Sequence, residues 1–295
     1  MRAMRLTARR LFAMLRIVLL ASCVSLLQGV AAAATYTSAS IPFDWVDPSS
    51  HTMIGHNTVP YKFNQASGCA TKPPILDDTL SDLIPIGFTF VFGATSHTSV
   101  RVQTNGRLQF NNTLCGAGTQ SLGPPQTYPY GYPNVLVNNT MKVFGVDLDP
   151  TNLVDKANYP SAARKTNCLS IATCFISVAT VGAAPNRRFV VTWNNVPEWV
   201  SATTTSGSFN VQIVLNENGT FVYQYGNITH GGSGSAQIGW QLGVADFDVL
   251  TFGASSEPPP STAILFYKAT GAPLAEYRFE EGAWSPGVAG QVVDA

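Results

Sequence analysis

The sequence predicts an all-β protein, built as an antiparallel β-sandwich with long loops. After residue 40, short runs of alternating apolar and polar residues follow one another, with Gly, Pro and Asn between them and no strong helical periodicity. Charged residues make up only 12% of the chain, against a usual share of ~25%. Thr, Ser, Asn and Gly fill the difference, a composition that disfavours helices. The spacing of the runs suits packed antiparallel sheets.

Ten runs are candidate strands, and the segments between them are candidate loops. The strands are expected at 85–92, 99–104, 107–110, 142–148, 174–181, 187–196, 208–215, 220–226, 236–242 and 263–268. Segments 47–82 and 111–140 are rich in Pro, Gly, Ser and Asn, which predicts long loops. The SSEPPPST segment at 255–262 is interpreted as a loop before the last strand, because AILFYK needs a sheet to join.

The first of two predicted hairpins turns at residues 104–106. A three-residue loop sets Val102 opposite Leu108 and Val100 opposite Phe110, whereas a two-residue loop would set apolar residues opposite polar ones. The three-residue loop is therefore expected, with its glycine in the left-handed conformation that glycine adopts without a Cβ penalty.

The second predicted hairpin repeats this arrangement, with a three-residue loop at 217–219 that also ends in glycine. The loop sets three pairs of apolar residues opposite each other: Leu215 and Phe221, Ile213 and Tyr223, and Val211 and Tyr225.

Residues 1–34 are interpreted as a signal peptide that is cleaved near Ala34. Five arginines precede the apolar run IVLLASCVSLLQGV, and AAAA at 31–34 supplies the small residues of a cleavage site. The apolar run is short for a membrane span, so none is expected in the mature chain. An uncleaved anchor and a lipid on Cys23 within LASC are the alternatives left open.

A signal peptide would direct the chain out of the cytoplasm, and its removal would leave an acidic mature chain. It leaves 12 basic against 17 acidic residues, so nothing draws the chain to nucleic acid or to anionic lipid. The expected location is periplasmic, outer-membrane-associated or extracellular.

The four remaining cysteines predict two disulfides, because an even number is typical of exported chains. They are Cys69, Cys115, Cys168 and Cys174. Three pairings exist; the favoured one joins Cys168 to the nearby Cys174, and Cys69 to Cys115. No C-x-x-C motif occurs, which weakens zinc and thioredoxin-like interpretations.

The central region resembles a nidogen-type extracellular domain. The resemblance rests on four segments that follow one another in the family's order: IGFTFVFGATSHTSVRVQTNGRLQF at 86–110, FGVDLDP at 144–150, RRFVVTWNNVP at 187–197 and GSFNVQIVLNENGTFVYQYGNI at 207–228. Residues 35–270 are accordingly expected to form one nidogen-like sandwich.

The end of the chain resembles the opening strand of a laminin-G or concanavalin-A-like domain. Residues 271–295 are interpreted as the end of a linker (ATGAPL, 269–274) and this incomplete first strand, AEYRFEEGAWSPGVAGQVVDA. Such a fragment cannot bury a core of its own, so the native protein is expected to continue past residue 295. With the central region, the tail is similar to the front of MshQ-like proteins, which are associated with mannose-sensitive haemagglutinin type IV pili.

Asp147 and Asp149 are the weak candidates for a metal site. With Asn152 and Asp155 they form a carboxylate cluster, and calcium favours several oxygens from a short acidic loop. A turn at a strand end, in which Asp accepts hydrogen bonds from nearby backbone amides, is favoured over calcium. An acid–base pair of a glycan hydrolase is the third alternative, since residues at i and i+2 share one face of a strand. No other cofactor is expected.

The histidines and one Ser-containing loop receive structural interpretations. His51 and His56 lack a nearby third metal ligand, and His97 and His230 stand alone. All four are expected in solvated loops or turns. The GGSGSAQ segment at 231–237 lacks the closing Gly of a nucleophile elbow and is expected to be a hairpin loop.

Aromatic residues are candidates either for the core or for a sugar-binding face. Trp193, Trp199, Trp240, Tyr223 and Tyr225 are expected to be mostly core, because aromatics supply much of the buried area of a sandwich. Trp199 in PEWVS is the best candidate for exposure. The N-x-T sequons at Asn111, Asn138, Asn218 and Asn227 are expected to be unmodified in a bacterial protein.

These observations predict a non-enzymatic exported surface protein that serves adhesion or type IV pilus biogenesis. The alternatives are a structural spacer that presents downstream domains and an accessory module of an extracellular glycan-active enzyme. The expected partners are envelope or pilus proteins, or surface glycans. The pilus link is implied by the resemblance alone.

Overall fold

A computed structural model shows a two-sheet antiparallel β-sandwich, so the predicted fold class is confirmed. The structure describes residues 34–55, 60–64, 76, 78–114, 132–151, 173–198, 207–229, 235–253 and 258–268.

Fifteen strands lie within the described residues. In chain order they are β1 (Tyr36–Ile41), β2 (Thr52–Ile54), β3 (Phe63–Asn64), β4 (Leu80–Ser81), β5 (Ile84–Phe92), β6 (Thr95–Gln103), β7 (Arg107–Gln109), β8 (Thr140–Gly145), β9 (Phe175–Val181), β10 (Arg188–Val196), β11 (Ser208–Asn216), β12 (Phe221–Thr229), β13 (Ser235–Gly243), β14 (Asp246–Gly253) and β15 (Thr262–Lys268).

The first sheet has seven strands in the order β1-β15-β12-β11-β10-β9-β2. Its centre is the second predicted hairpin, and the predicted register is confirmed at all three pairs: Leu215 with Phe221, Ile213 with Tyr223 and Val211 with Tyr225. Gly219 has a φ of 88°, as the left-handed position of the loop requires. The last strand, β15, lies between β1 and β12, so the AILFYK segment does join a sheet.

The second sheet has the order β14-β13-β8-β7-β6-β4-β3, with β5 also paired to β6. The first predicted hairpin joins β6 to β7, and Val102 pairs with Leu108 as expected. Gly106 is in the left-handed region with a φ of 76°. A Cβ there would also collide with the carbonyl oxygen of Phe144, so both conformation and space require glycine.

Strand β5 crosses one end of the seven-stranded sheet. Its pairing with β6 is interrupted between Pro85 and Phe90, which frees backbone groups to bind the other sheet. The hydroxyl of Thr180 donates to the Ile86 carbonyl (2.8 Å). At the far end of β5, the Tyr36 hydroxyl accepts the N–H of Gly93 (2.8 Å). This strand therefore connects the two sheets at their edge.

One core cluster fills the space between the sheets. Alternate residues of β5 point into it, and the central strands contribute Trp193, Tyr223, Tyr225 and Trp240, all fully buried. The expectation that these four aromatics belong to the core is confirmed.

Three predictions about loops and strand ends need correction. The segment at 47–82 was expected to be a loop, but it contains the short strands β2, β3 and β4. Strand β6 begins at Thr95, which brings His97 into a strand and not a turn. Strand β8 ends at Gly145, so Asp147 lies beyond it and not within the predicted strand 142–148.

Candidate functional site

A strap, defined here as residues 42–47, lies on the outer face of the seven-stranded sheet. Two glutamine side chains of that sheet hold its backbone. Gln224 accepts the N–H of Asp44 (2.9 Å) and donates to its carbonyl (2.7 Å). Gln212 does the same for Val46, at 3.2 and 2.6 Å. Each amide thus replaces the hydrogen bonds that a neighbouring strand would make.

This attachment holds two aromatic rings on the outer face of the sheet. Phe43 and Trp45 are half-buried, and their rings stack with centroids 5.9 Å apart and planes inclined by 25°. Trp45 packs beside Gly226, since a Cβ built there would lie 3.7 Å from its Cζ3 atom. The same Cβ would lie 3.1 Å from the Cβ of Asn210, so Trp45 and Asn210 are close neighbours.

Asparagine side chains form a fixed polar surface beside Trp45. Asn210 donates to the side-chain oxygen of Asn195 (2.9 Å) and accepts the backbone N–H of Asn195 (3.0 Å). It also lies within hydrogen-bond distance of the carbonyl of the exposed Asn227 (3.3 Å). The side chain of Asn195 donates to Thr173 (2.9 Å). Because these amides are held by neighbours, their orientation is set before any ligand arrives.

Charge plays a small part at this surface. Arg188 forms an ion pair with Asp44 at 2.7 Å, which neutralises this carboxylate beside the aromatic rings. Such an exposed pair contributes little to stability. Stacked rings next to fixed amides form a surface suited to a neutral ligand that has an apolar face and several hydroxyl groups.

The outer face of the eight-stranded sheet carries a second, buried polar layer. Gln241 binds the backbone N–H and carbonyl of Asn134 at 2.8 and 2.6 Å, so a segment again lies strapped on a sheet. Arg107 and Lys142 are fully buried on this face. The Arg107 guanidinium donates to Gln109 (2.8 Å). Burial, with the Arg107 charge nearby, lowers the pKa of Lys142 well below its ordinary value.

An open cleft of about 630 Å³ lies where β5 separates from β6. Leu83, Pro85 and Phe88 give it an apolar side, and the hydroxyls of neighbouring Thr and Ser residues line the rest. Arg187 at its rim is bound to the Gly87 carbonyl (2.7 Å) and to Glu217 (2.5 Å). The guanidinium therefore supports β5 at this rim.

The predicted calcium candidates lie after β8. Asp149 is fully buried, and its Oδ1 accepts the backbone N–H of Thr151 (3.0 Å), the turn contact that was expected as the alternative to calcium. Its own N–H donates to Pro197 (3.0 Å). Asn152 and Asp155 lie outside the described residues. Within the described ranges no three His, Cys, Asp or Glu side chains are grouped to hold a metal ion. A calcium role for Asp147 and Asp149 stays a prediction.

The prediction of a solvated His97 is wrong. The side chain is only 6% exposed, and its ring lies 4.8 Å from that of Phe110. Burial lowers its pKa, because the charged form loses its hydration. His51 is half-buried, and His56 and His230 lie outside the described residues.

Several other predicted positions also fall outside the described part of the chain. They are the signal peptide up to Ala33, Trp199, most of the GGSGSAQ loop, the tail at 269–295, and Cys69, Cys115 and Cys168. Cys174 is buried and disulfide-bonded, whereas the predicted pairings stay untested.

Sequence reasoning missed the Phe43–Trp45 pair and the glutamines beneath it. The IPFDWVDP segment does place two aromatics at i and i+2, a spacing that puts them on one side of an extended chain. A Gln within an alternating strand reads as an ordinary exposed residue, so the sequence held no signal for the attachment of the strap.

Comparison with known proteins identifies the family. No curated protein and no solved structure matches the chain. None of the described residues form a helix of the length and apolarity that crossing a membrane requires. A family model described as NIDO related matches residues 55–279, which is most of the chain. This match suggests an extracellular, adhesion-type module, in agreement with the nidogen resemblance of the sequence. The chain belongs to the NIDO-related family.

Proposed function

We propose that this chain is a non-enzymatic, exported adhesion module that binds surface glycans on the outer face of its seven-stranded sheet. The observation that carries the proposal is the stacked Phe43–Trp45 pair beside the fixed amides of Asn195 and Asn210. The family match supports an adhesion-type role, and the signal-like N-terminus supports export.

The chemistry of a sugar ring fits this surface. One face of a pyranose presents C–H groups, which pack on an aromatic ring, and its edge presents hydroxyls, which bond to amides. The aromatic pair is attached at both Asp44 and Val46, so little conformational entropy is lost when a ligand stacks on it. The acidic mature chain makes nucleic acid an unsuitable ligand.

A glycan array probed with the secreted chain tests the proposal. We expect selective binding to a subset of neutral glycans, with a Kd in the range of about 10 μM to 1 mM for one shallow site. Trp45→Ala should abolish this binding while the circular dichroism spectrum stays that of the folded protein. Binding to no glycan on a broad array would contradict the proposal.

The second candidate is a role in type IV pilus biogenesis, through protein partners of the cell envelope. It is favoured by the LAEYRFEEGAWSPGVAGQVVDA tail, which carries the resemblance to MshQ-like proteins. Under this alternative the sandwich serves as a spacer for downstream domains. Deletion of the gene would then reduce pilus display, and Trp45→Ala would leave display unchanged.

The third candidate is an accessory module of an extracellular glycan-active enzyme. It uses the same glycan-binding surface but needs a catalytic domain elsewhere in the protein. Hydrolysis of a bound glycan by the full-length natural protein would distinguish this candidate from adhesion.

A further inference from the structure

Lys142 is an amine enclosed in the outer polar layer of the eight-stranded sheet. It lies on β8 with no exposed surface, although a lysine is almost never fully buried unless it is paired. Its aliphatic stem packs against the backbone of Gly145, where a Cβ would collide with the Lys142 Cδ. The Nζ atom lies 4.2 Å from the centre of the Tyr132 ring.

The side-chain amide of Gln237 on β13 receives this amine. Lys142 Nζ donates to Gln237 Oε1 at 2.8 Å, and the backbone N–H of Tyr132 donates to the same oxygen at 2.8 Å. The two short hydrogen bonds withdraw electron density from the carbonyl and make its carbon more electrophilic. When Nζ adds to the carbon, the Tyr132 N–H stays on the oxygen and stabilises the negative charge that develops there.

Gln237 differs from three other glutamines whose side chains hold a backbone segment on the outer face of a sheet. The Nε2 atoms of these three donate to backbone carbonyls at 2.6 or 2.7 Å: Gln212 to Val46, Gln224 to Asp44 and Gln241 to Asn134. The Nε2 of Gln237 is 3.5 Å from the Tyr132 carbonyl, at the limit of a hydrogen bond. Its nitrogen is thus the most weakly held of the four, while its oxygen accepts two strong donors.

We propose that Lys142 and Gln237 form an intramolecular amide bond that covalently joins β8 to β13. The Nζ lone pair attacks Gln237 Cδ to give a tetrahedral intermediate, in which the oxygen keeps the hydrogen bond from the Tyr132 N–H. A proton passes from Nζ to Nε2, the Cδ–Nε2 bond breaks, and ammonia leaves. The products are one secondary amide and one ammonia molecule, with no oxidant, reductant or cofactor.

The surroundings favour this step. Burial and the Arg107 charge lower the pKa of Lys142, which increases the fraction of the amine that carries the lone pair needed for attack. Attack within a folded chain is effectively unimolecular, and the reaction has to occur only once in the lifetime of the protein. The bond would close a loop between residues separated by 95 positions in sequence, so it would restrict the unfolded chain as a long-range disulfide does.

Mass spectrometry of the mature secreted chain tests this proposal independently of glycan binding. After reduction and denaturation, the intact mass should be lower than the calculated mass by one ammonia molecule. Digestion should give a branched peptide in which fragment ions join the Lys142 segment to the Gln237 segment. Recovery of both segments only as separate linear peptides, at full calculated mass, would overturn the proposal.

Matched variants identify the two reacting groups. Lys142→Arg keeps a long basic side chain but removes the primary amine and should restore the full mass. Gln237→Glu has no side-chain ammonia to release at this position, so persistence of the ammonia loss in this variant would overturn the proposal. Gln241→Glu, which changes the Asn134-binding glutamine on the same strand, should keep the loss of ammonia. Because the wild-type peptide map alone decides the question, a variant that fails to fold does not affect the outcome.

Discussion

Tyr36 shows at the scale of one residue how the two sheets are joined. Its hydroxyl accepts the N–H of Gly93 (2.8 Å) and donates to the carbonyl of Val91 (3.2 Å), while its ring stacks in the core with Phe92. Burial raises the pKa of Tyr36 to about 12. The neutral phenol is therefore part of the folded state.

Tyr36→Phe should weaken the fold at neutral pH and reduce its sensitivity to alkali. The loss of the Gly93 contact should cost about 1–2 kcal/mol at pH 7. In the wild type, the stabilisation from Tyr36 is complete below the unfolded pKa of 10.0 and is lost as the pH rises toward the folded pKa of about 12. Urea unfolding from pH 8 to 11 measures both effects. An equally steep alkaline decline in the variant would contradict this assignment.

His97 should make the fold sensitive to acid. Its folded pKa lies below the unfolded value of 6.5, so the stabilisation from the neutral ring is present above that value and is lost as the pH falls. His97→Phe should flatten the decline in stability between about pH 7 and pH 5. Thermal unfolding across this range measures the slope. An unchanged slope would mean that other groups control acid unfolding.

For the residues whose location was predicted correctly, the size of the side chain and its position in the alternating pattern determine burial. Trp193 and Trp240 are large and occupy alternating strands, so burial follows from the pattern. His97 was misplaced because a histidine is compatible with either side of a surface, and its ring here packs on Phe110. Gln237, the hydrogen-bond partner of Lys142, lies 95 positions away on β13 and cannot be read from local sequence.

At the scale of secondary-structure elements, the two hairpins give a matched prediction. In Gly219→Ala the left-handed φ is the only source of strain, since the nearest atom to its Cβ would be Val91 O at 4.0 Å. This variant should lower the free energy of unfolding by about 1–2 kcal/mol. Gly106→Ala adds the collision with the Phe144 carbonyl and should cost about 3 kcal/mol or more. Chemical denaturation of both variants measures the difference. Equal costs would contradict the close approach at Gly106.

The strap that holds Phe43 and Trp45 gives a second prediction for an element. Gln224→Ala removes the partner of the Asp44 N–H and carbonyl and should cost about 1–3 kcal/mol. Hydrogen exchange at the Asp44 amide should accelerate, and glycan binding should weaken. Gln241→Ala is the matched control, because it releases Asn134 on the other sheet. Equal acceleration at Asp44 in both variants would indicate general destabilisation.

Strands with strong alternation were predictable, and edge strands were not. The register of both hairpins follows from apolar pairing across glycine-containing loops. β1 (YTSASI) has mainly small or polar residues and becomes a strand only through its pairing with β15. β14 does alternate, with Phe247 and Val249 between acidic residues, so its omission was a missed signal.

At the scale of the whole molecule, contacts between distant segments complete the sandwich. Thr35 donates from its N–H to Asp246 (2.9 Å), which connects the edge strands of the two sheets. On the other side, Gly55 pairs with Lys62 in an isolated bridge between the regions of β2 and β3. Such contacts depend on chain topology, so the fold class was predictable while the closure of the edges was not.

The central claim, that Trp45 provides the stacking surface of a glycan-binding adhesion module, is tested most directly by a matched pair of aromatic variants. Tyr267 is the control, because it is also an aromatic residue of the seven-stranded sheet, is 36% exposed, and lies on β15 away from the strap. Titration calorimetry with the glycan selected on the array should show at least ~10-fold weaker binding for Trp45→Ala and unchanged binding for Tyr267→Ala. Equal affinity of the wild type and both variants would contradict the claim and place adhesion elsewhere on the chain.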